Sequence, residues 1–294
     1  MERYIAKAAV LVEALPYIQA YSNKYVIIKY GGSAMSDNEH ADNLLKDIVF
    51  LECVGIKPIL IHGGGNLITS RMKKAGKHSS FVHGLRVTDE ETVNIVNDVL
   101  LEINGRIVSK IHEYGGRAQG LTSSDKIIVA KKHYVEEINK KTGKKEKIDI
   151  GNVGDVVKIK VSPIKQITDR IGVPVIAPVG VGSNGVLYNI NADTAACGIA
   201  AAVKAEKLVL MTNTRGIMED PHDIKTLIPS LKTKDISTLI ANGVINSGMI
   251  PKVKACVLAL RSGVHKIHII DARILHSVLL EIFTDKGIGT QIMR

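Results

Sequence analysis

Short apolar runs rich in β-formers recur along this chain, and helical stretches separate them. The runs are YVIIKY, KPILIHGGG, KIIVAKK, VPVIAPVG, KLVLMT and KIHIID, and the helical stretches cover Asp42 to Cys53, Glu90 to Glu113, Asp193 to Lys204 and Lys252 to Arg261. A strand with one wet face alternates apolar and polar residues. These runs are close to continuously apolar, so both faces of their sheet must be covered. The pattern predicts an α/β fold, a three-layer αβα sandwich around a mainly parallel open sheet. With 294 residues the chain can bury a full core as one large domain or two lobes. No repeat, low-complexity segment or interdomain linker is apparent.

The stretch TDEE predicts a capping box from Thr88 to Glu91, ahead of a stripe of Val96, Leu100, Ile103, Ile107 and Ile111. Before the first strand, Ile5, Ala8, Ala9, Val12 and Leu15 form another helical stripe. Pro16 cannot continue it without losing a backbone hydrogen bond. A short kinked helix is expected there, packed by default on its own chain, with docking on a neighbour as the alternative.

A net charge of +10 raises the question of nucleic acid, but aromatic residues are only 4% and Trp is absent, which leaves no stacking platform. The densest basic stretch, Lys131 to Lys147, reads as a solvated hairpin turning at Gly143. Small anionic substrates are the expected beneficiaries of the charge. No apolar run approaches the roughly 20 residues that span a bilayer, and a secretory leader is not expected. Cys53, Cys197 and Cys256 lack metal-ligand spacing and fit reduced thiols in a cytoplasmic setting.

Ligands of open α/β sheets gather beyond the carboxyl ends of strands. At one such end Lys29 precedes Gly31 and Gly32, an order unlike the familiar phosphate loop, which suits either phosphate or a tight strand exit. HGGGN (His62 to Asn66) precedes a helix beginning near Asn66 and offers N–H groups to an anion, though Gly-x-Gly-x-x-Gly is absent. Arg86 can grip a carboxylate with two parallel hydrogen bonds or stay a surface arginine. In YNINADTAA a helix cap accounts for Asp193 but not for Asn189 and Asn191. Lys252 falls on the first turn of another helix, after Gly248.

IIKYGGSAM, IHGGGN, HGLRVTDEET, YNINADTAA, GMIPKVKAC and HIIDARILHSVLLEIFTDKGIGT run in one order across nearly the whole chain. Together they resemble the amino acid kinase family, specifically its branch acting on N-acetyl-L-glutamate. The resemblance implies transfer of the γ-phosphoryl of ATP, with Mg2+ held mainly by phosphates and water, to the side-chain carboxylate of N-acetyl-L-glutamate in arginine biosynthesis. It implies catalytic roles for Lys29 and Lys252, with Asp193 holding them in place, and no protein-built metal site. Gly64, Gly65, Arg86, Asn189 and Asn191 match substrate contacts. Gly31, Gly32, Asn213, Thr214, Arg215, Gly216, Ile217, Met218, Val244, Ile245, Asn246 and Met249 match the nucleotide side. The lobes implied are 23–204 for acetylglutamate and dimerisation and 205–294 for nucleotide and effector. The resemblance also implies that residues 1–22 form an oligomerisation helix. Alternatives are a related kinase acting on aspartate or carrier-bound aminoadipate, and a non-catalytic regulator that binds arginine or nucleotide.

Asn213 stands where the family usually has Asp, Ser247 where Gly is common and Asn66 where Pro is common, and GLTSSDK differs from the usual turn. The terminal segments resemble the arginine-inhibited branch, whose helices interlace dimers into a hexamer, a trimer of dimers. That match implies L-arginine as inhibitor, bound by Tyr17, Lys207, His268, Glu281 and Gly287. Cyanobacterial and plastid enzymes also resemble this segment, which adds a nitrogen-signalling trimer as a possible partner and the plastid stroma as an alternative location.

Overall fold

The computed structural model describes residues 1–31, 38–138, 145–246, 249–285 and 287–294. Helices α1 (Glu2–Glu13) and α2 (Leu15–Tyr21) lead into β1 (Tyr25–Tyr30), α3 (Asn38–Cys53), β2 (Lys57–His62) and α4 (Gly65–Lys74). A small hairpin, β3 (Phe81–Val82) and β4 (Leu85–Arg86), precedes the long α5 (Glu90–Glu113) and β5 (Ala118–Leu121). Then come β6 (Ile128–Ile138), β7 (Lys145–Ile159), α6 (Val161–Arg170), β8 (Val173–Ile176), β9 (Val179–Val181), β10 (Leu187–Asn189) and α7 (Ala192–Val203). The C-terminal part contains β11 (Lys207–Thr212), β12 (Ser230–Lys232), α8 (Ile236–Ala241), α9 (Met249–Arg261), β13 (Lys266–Asp271), α10 (Ser277–Ile282) and β14 (Thr290–Met293).

Eight strands form the central sheet in the order β12-β14-β13-β11-β1-β2-β8-β5, and every pairing is parallel except β13 with β14. Successive side chains alternate between its faces. Ile27, Ile59, Ile61, Leu208 and Leu210 pack in one core with residues of α7 and α9. Val26, Ile28, Leu60 and Val209 pack in a second core with residues of α3, α5 and α10. The expected three layers are therefore present. Because β1 pairs with both β2 and β11, one continuous sheet runs through the expected lobe boundary at 204/205.

Two expectations need correction. The capping box is not formed from Thr88: the cap is Asp89, whose carboxylate accepts the Thr92 N–H at 2.7 Å, and the Thr88 hydroxyl donates instead to the Arg86 carbonyl at 2.7 Å. Aspartate caps as well as threonine does, so the buried Thr88 is released to brace the hairpin. The N-terminal stripe does not pack on its own chain either. Ile5, Val12 and Leu15 are exposed, as are Tyr4, Val10 and Leu11. Pro16 lies in the first turn of α2, where its missing N–H costs nothing, so the kink falls at Ala14.

The basic hairpin is longer than it reads. Its strands β6 and β7 join β9 and β10 in a small closed barrel beside the main sheet. The expected turn at Gly143 lies outside the described residues. Among those residues, no helix is long and apolar enough to cross a membrane.

Candidate active site

Lys29 sits on the same face of β1 as Ile27, the face covered by α7 and α9. It therefore reaches the start of α7 at the carboxyl end of its own strand. Its Nζ lies 3.0 Å from Asp193 Oδ1, and Lys252 Nζ, from the first turn of α9, lies 2.5 Å from Asp193 Oδ2. Asp193 is free for both because it is not the helix cap. Asn191 is, its Oδ1 accepting the N–H groups of Asp193 and Thr194 at 2.9 and 3.1 Å. Burial pushes the Asp193 carboxyl up, but the two ammonium groups more than offset it and hold it at about 2. Burial lowers the Lys29 ammonium, with Asp193 opposing.

A cleft of about 230 Å³ opens beside Lys29, lined by Gly31, Gly63, Gly64, Gly65, Arg86, Asn189 and Asn191 among others. Gly64 sits close against α5: a Cβ there would lie 2.9 Å from a Leu100 methyl and 3.0 Å from an Ile103 methyl, so those side chains would have to shift. The helix it caps, α4, presents its N-terminal N–H groups to the cleft. Arg86 is buried and held by Ser79 Oγ at 2.5 Å, Thr69 Oγ1 at 2.8 Å, the Gly65 carbonyl at 3.2 Å and the Phe81 ring at 4.8 Å. Among the described residues it has no carboxylate partner, and burial lowers its pKa. A rigid cation without a counter-ion is a receptor for an anion. Asn189 donates to Thr88 Oγ1 at 3.3 Å, which ties β10 to the hairpin that carries Arg86.

The residues expected on the nucleotide side divide by exposure. Asn213 and Arg215 are exposed, Arg215 Nε standing 3.6 Å from Asp271, whereas Ile217 and Ile245 are core residues that offer a ligand only their backbone. Gly216 adopts φ 148°, and its neighbour Ile217 donates its N–H to Thr290 Oγ1 at 2.8 Å. Val244 and Met249 pack against the same core, and Thr214 donates to the Gly216 carbonyl at 3.3 Å. Met218 bridges to Leu227, and Asn246 is exposed just before α9. Gly32, Ser247 and Gly248 lie outside the described residues.

Tyr17, Lys207, His268, Glu281 and Gly287, distant in sequence, all line one cavity of about 280 Å³. The carboxylate of Glu281 is already engaged there: Oε1 meets Lys207 Nζ at 3.2 Å and His268 Nδ1 at 2.5 Å, and Oε2 accepts the Ile288 N–H at 3.1 Å. Asp285, which accepts the Tyr17 hydroxyl at 2.5 Å, is a further carboxylate of the cavity that sequence reasoning missed. Thr69, Ser79 and Phe81 around Arg86 were missed as well. Thr69 carried a faint signal, lying one helical turn after Gly65; Ser79 carried none.

The amino acid kinase family model matches residues 24–271. The chain belongs to that family. It is 48% identical over 295 residues to the acetylglutamate kinase of Heliobacterium modesticaldum, with 100% of each chain covered. It is 46% identical over 289 residues to that of Methanococcus aeolicus, with 98% of each covered. Among solved structures, the fold is similar to N-acetylglutamate synthase from Neisseria gonorrhoeae complexed with coenzyme A and N-acetyl-glutamate, at TM-score 0.83 and 24% identity, covering 98% of this chain and 63% of that one. Carbamate kinase from Giardia lamblia bound to AMP-PNP is similar at TM-score 0.65 and 14% identity, covering 93% and 99%.

Proposed function

We propose that this protein transfers the γ-phosphoryl group of ATP to the side-chain carboxylate of N-acetyl-L-glutamate, giving an acyl phosphate for arginine biosynthesis. The observation that carries the reading is the pair of ammonium groups, Lys29 and Lys252, drawn together on Asp193 at the edge of a cleft with Arg86, which has no carboxylate partner among the described residues. A carboxylate of reference pKa about 4.3 is ionised at neutral pH, so the acceptor needs no general base. The site must instead bring two anions together and offset charge on the group in flight. Lys29 and Lys252 supply that charge, and Asp193 limits their mutual repulsion. Arg86 takes the α-carboxylate, and the N–H groups of Gly64 and Gly65 face the reacting end. The nucleotide lies along 213–218, 244–246 and Met249.

Among the described residues no group of carboxylates, histidines or cysteines is arranged to hold a metal ion, and both oxygens of Asp193 are engaged by lysines. Mg2+ therefore fits as a companion of the nucleotide phosphates, held by them and by water, where it neutralises phosphate charge. L-Arginine is the proposed inhibitor, acting at the cavity that Tyr17 and Glu281 line. The test compares ATP consumption with N-acetylglutamate, glutamate and aspartate side by side. Preference for glutamate or aspartate would overturn the substrate assignment, and no consumption with any of them would favour a non-catalytic regulator.

A further inference from the structure

His62 ends β2 fully buried at the root of the glycine turn, on the sheet face opposite Lys29. Its Nδ1 lies 3.0 Å from the Gly63 carbonyl oxygen. A carbonyl oxygen only accepts, so Nδ1 carries the proton and Nε2 is left as an acceptor. Asn104 of α5, itself buried, fills that role: its Nδ2 donates to Nε2 at 3.2 Å and to the Val175 carbonyl at 2.9 Å. The amide is hemmed in, since a Cβ on Gly120 would come within 2.1 Å of Asn104 Oδ1. Burial holds the His62 ring down at about 4, so it stays neutral in this tautomer near neutral pH.

The Gly63–Gly64 peptide is trans, which puts its C=O and N–H on opposite sides. The Gly63 N–H is tied to the Tyr30 carbonyl at 2.7 Å, which fixes the preceding peptide as well. With the Gly63 carbonyl held toward the buried ring, the Gly64 N–H is turned away from it. Among the described residues that N–H has no partner.

We propose that His62 and Asn104 are positioning residues for phosphoryl transfer, a buried relay that locks the Gly63–Gly64 peptide so that the Gly64 N–H faces the cleft as a fixed donor to the reacting oxygens. The proposal rests on the phosphotransferase reading above. A donor aimed in advance stabilises developing charge without reorganising, which is where such groups gain most of their effect.

The relay makes a claim about the unmodified protein. In full-length protein labelled with ¹⁵N-histidine, His62 should show the neutral Nδ1–H tautomer between roughly pH 6 and 8. An Nε2–H tautomer or an imidazolium there overturns the proposal. His62→Asn keeps a side-chain N–H near the Nδ1 position, whereas His62→Leu removes it. We expect His62→Leu to lose at least about 10-fold in kcat and His62→Asn to recover most of it, with KM for both substrates within about 3-fold of the starting protein. Equal losses in the two variants, or a loss carried by KM, reduce His62 to a core residue and sink the relay. Where His62→Leu does not fold, Asn104→Ala removes the donor to Nε2, together with its bond to the Val175 carbonyl, and should lower kcat with KM unchanged; an undiminished kcat overturns the proposal. An unmodified protein inactive on acetylglutamate sinks the functional reading. An active one whose folded His62→Leu variant is equally active sinks the relay alone.

Discussion

Arg86 shows how a single residue is prepared for a ligand. The guanidinium is stacked on Phe81 and hydrogen-bonded to Ser79, Thr69 and the Gly65 carbonyl, all neutral acceptors that orient it without cancelling its charge. Arg86→Ala should raise the KM for acetylglutamate by an amount equivalent to roughly 2–5 kcal/mol, because a buried charge pair would be lost on binding. Arg86→Lys should rescue little, since an ammonium cannot copy the planar fork. An effect confined to the KM for ATP would overturn the assignment. Lys29→Ala and Lys252→Ala should behave differently and chiefly lower kcat, by on the order of 100-fold or more, because their charge meets charge that develops during transfer. Near-normal turnover in either folded variant removes that lysine from the mechanism. The lysines, Asp193 and Arg86 were legible in the sequence because each stands in a short motif beside a glycine turn or a helix start. The shell around Arg86 was not, because Phe81, Ser79 and Thr69 meet only after the hairpin folds over α4.

Elements were legible in proportion to their periodicity. The 24 residues of α5 were bounded as they fold, and only the cap shifted by one position. By contrast β3 and β4 have two residues each, too few for any pattern to register, yet they carry Phe81 and Arg86. The pairing of α3 with the segment before α10 was also invisible, since its contacts join residues more than 200 positions apart: Asp47 Oδ1 meets His276 Nδ1 at 2.6 Å, and His40 Nε2 meets the Arg273 carbonyl at 2.8 Å. Burial raises the Asp47 carboxyl to about 6 against the pull of His276, and its Oδ2 has no hydrogen-bond partner among the described residues. A pKa raised above its unfolded value of about 3.8 gives stability that is full below that pH and is lost as pH rises through about 6. The span is worth about 3 kcal/mol at most. Asp47→Asn, which can still accept from His276, should therefore gain on the unmodified protein as pH rises from about 4 to 7. Thermal unfolding midpoints of both proteins across that range measure it. A difference that does not change with pH would rule out a buried carboxylate near this pKa.

At the scale of the molecule, the outer part of the N-terminal arm is left uncovered by its own chain. Tyr4 is 71% exposed, Ile5 61%, Leu11 67% and Val12 68%, a run of apolar surface that a lone subunit leaves in water. Covering such side chains contributes roughly 1.5–3 kcal/mol each when complete, set against the freedom lost on association. The arm is also anchored at its inner end to the proposed effector cavity. Tyr17 donates to Asp285 at 2.5 Å and meets Phe283 edge to face at 6.4 Å, and Lys207 lies 5.5 Å over the Tyr21 ring. One segment thus carries both an exposed apolar face and a wall of the cavity. A cationic ligand entering there meets Asp285 and must contend with Tyr17 for it. Glu281, held by Lys207 and His268, is less available than its sequence position implied. Arginine bound in the cavity would therefore act on the root of the arm, and through it on any second copy docked there. The intact protein should be a hexamer that arginine inhibits. Deleting residues through Gln19 should give dimers that keep their activity, since no residue of the cleft is removed, but with inhibition weakened by the loss of Tyr17. Light scattering and arginine titration of both forms measure the two effects together. An intact protein that stays dimeric and ignores millimolar arginine would refute both, whereas a truncated hexamer that keeps full inhibition would leave the arm without either role.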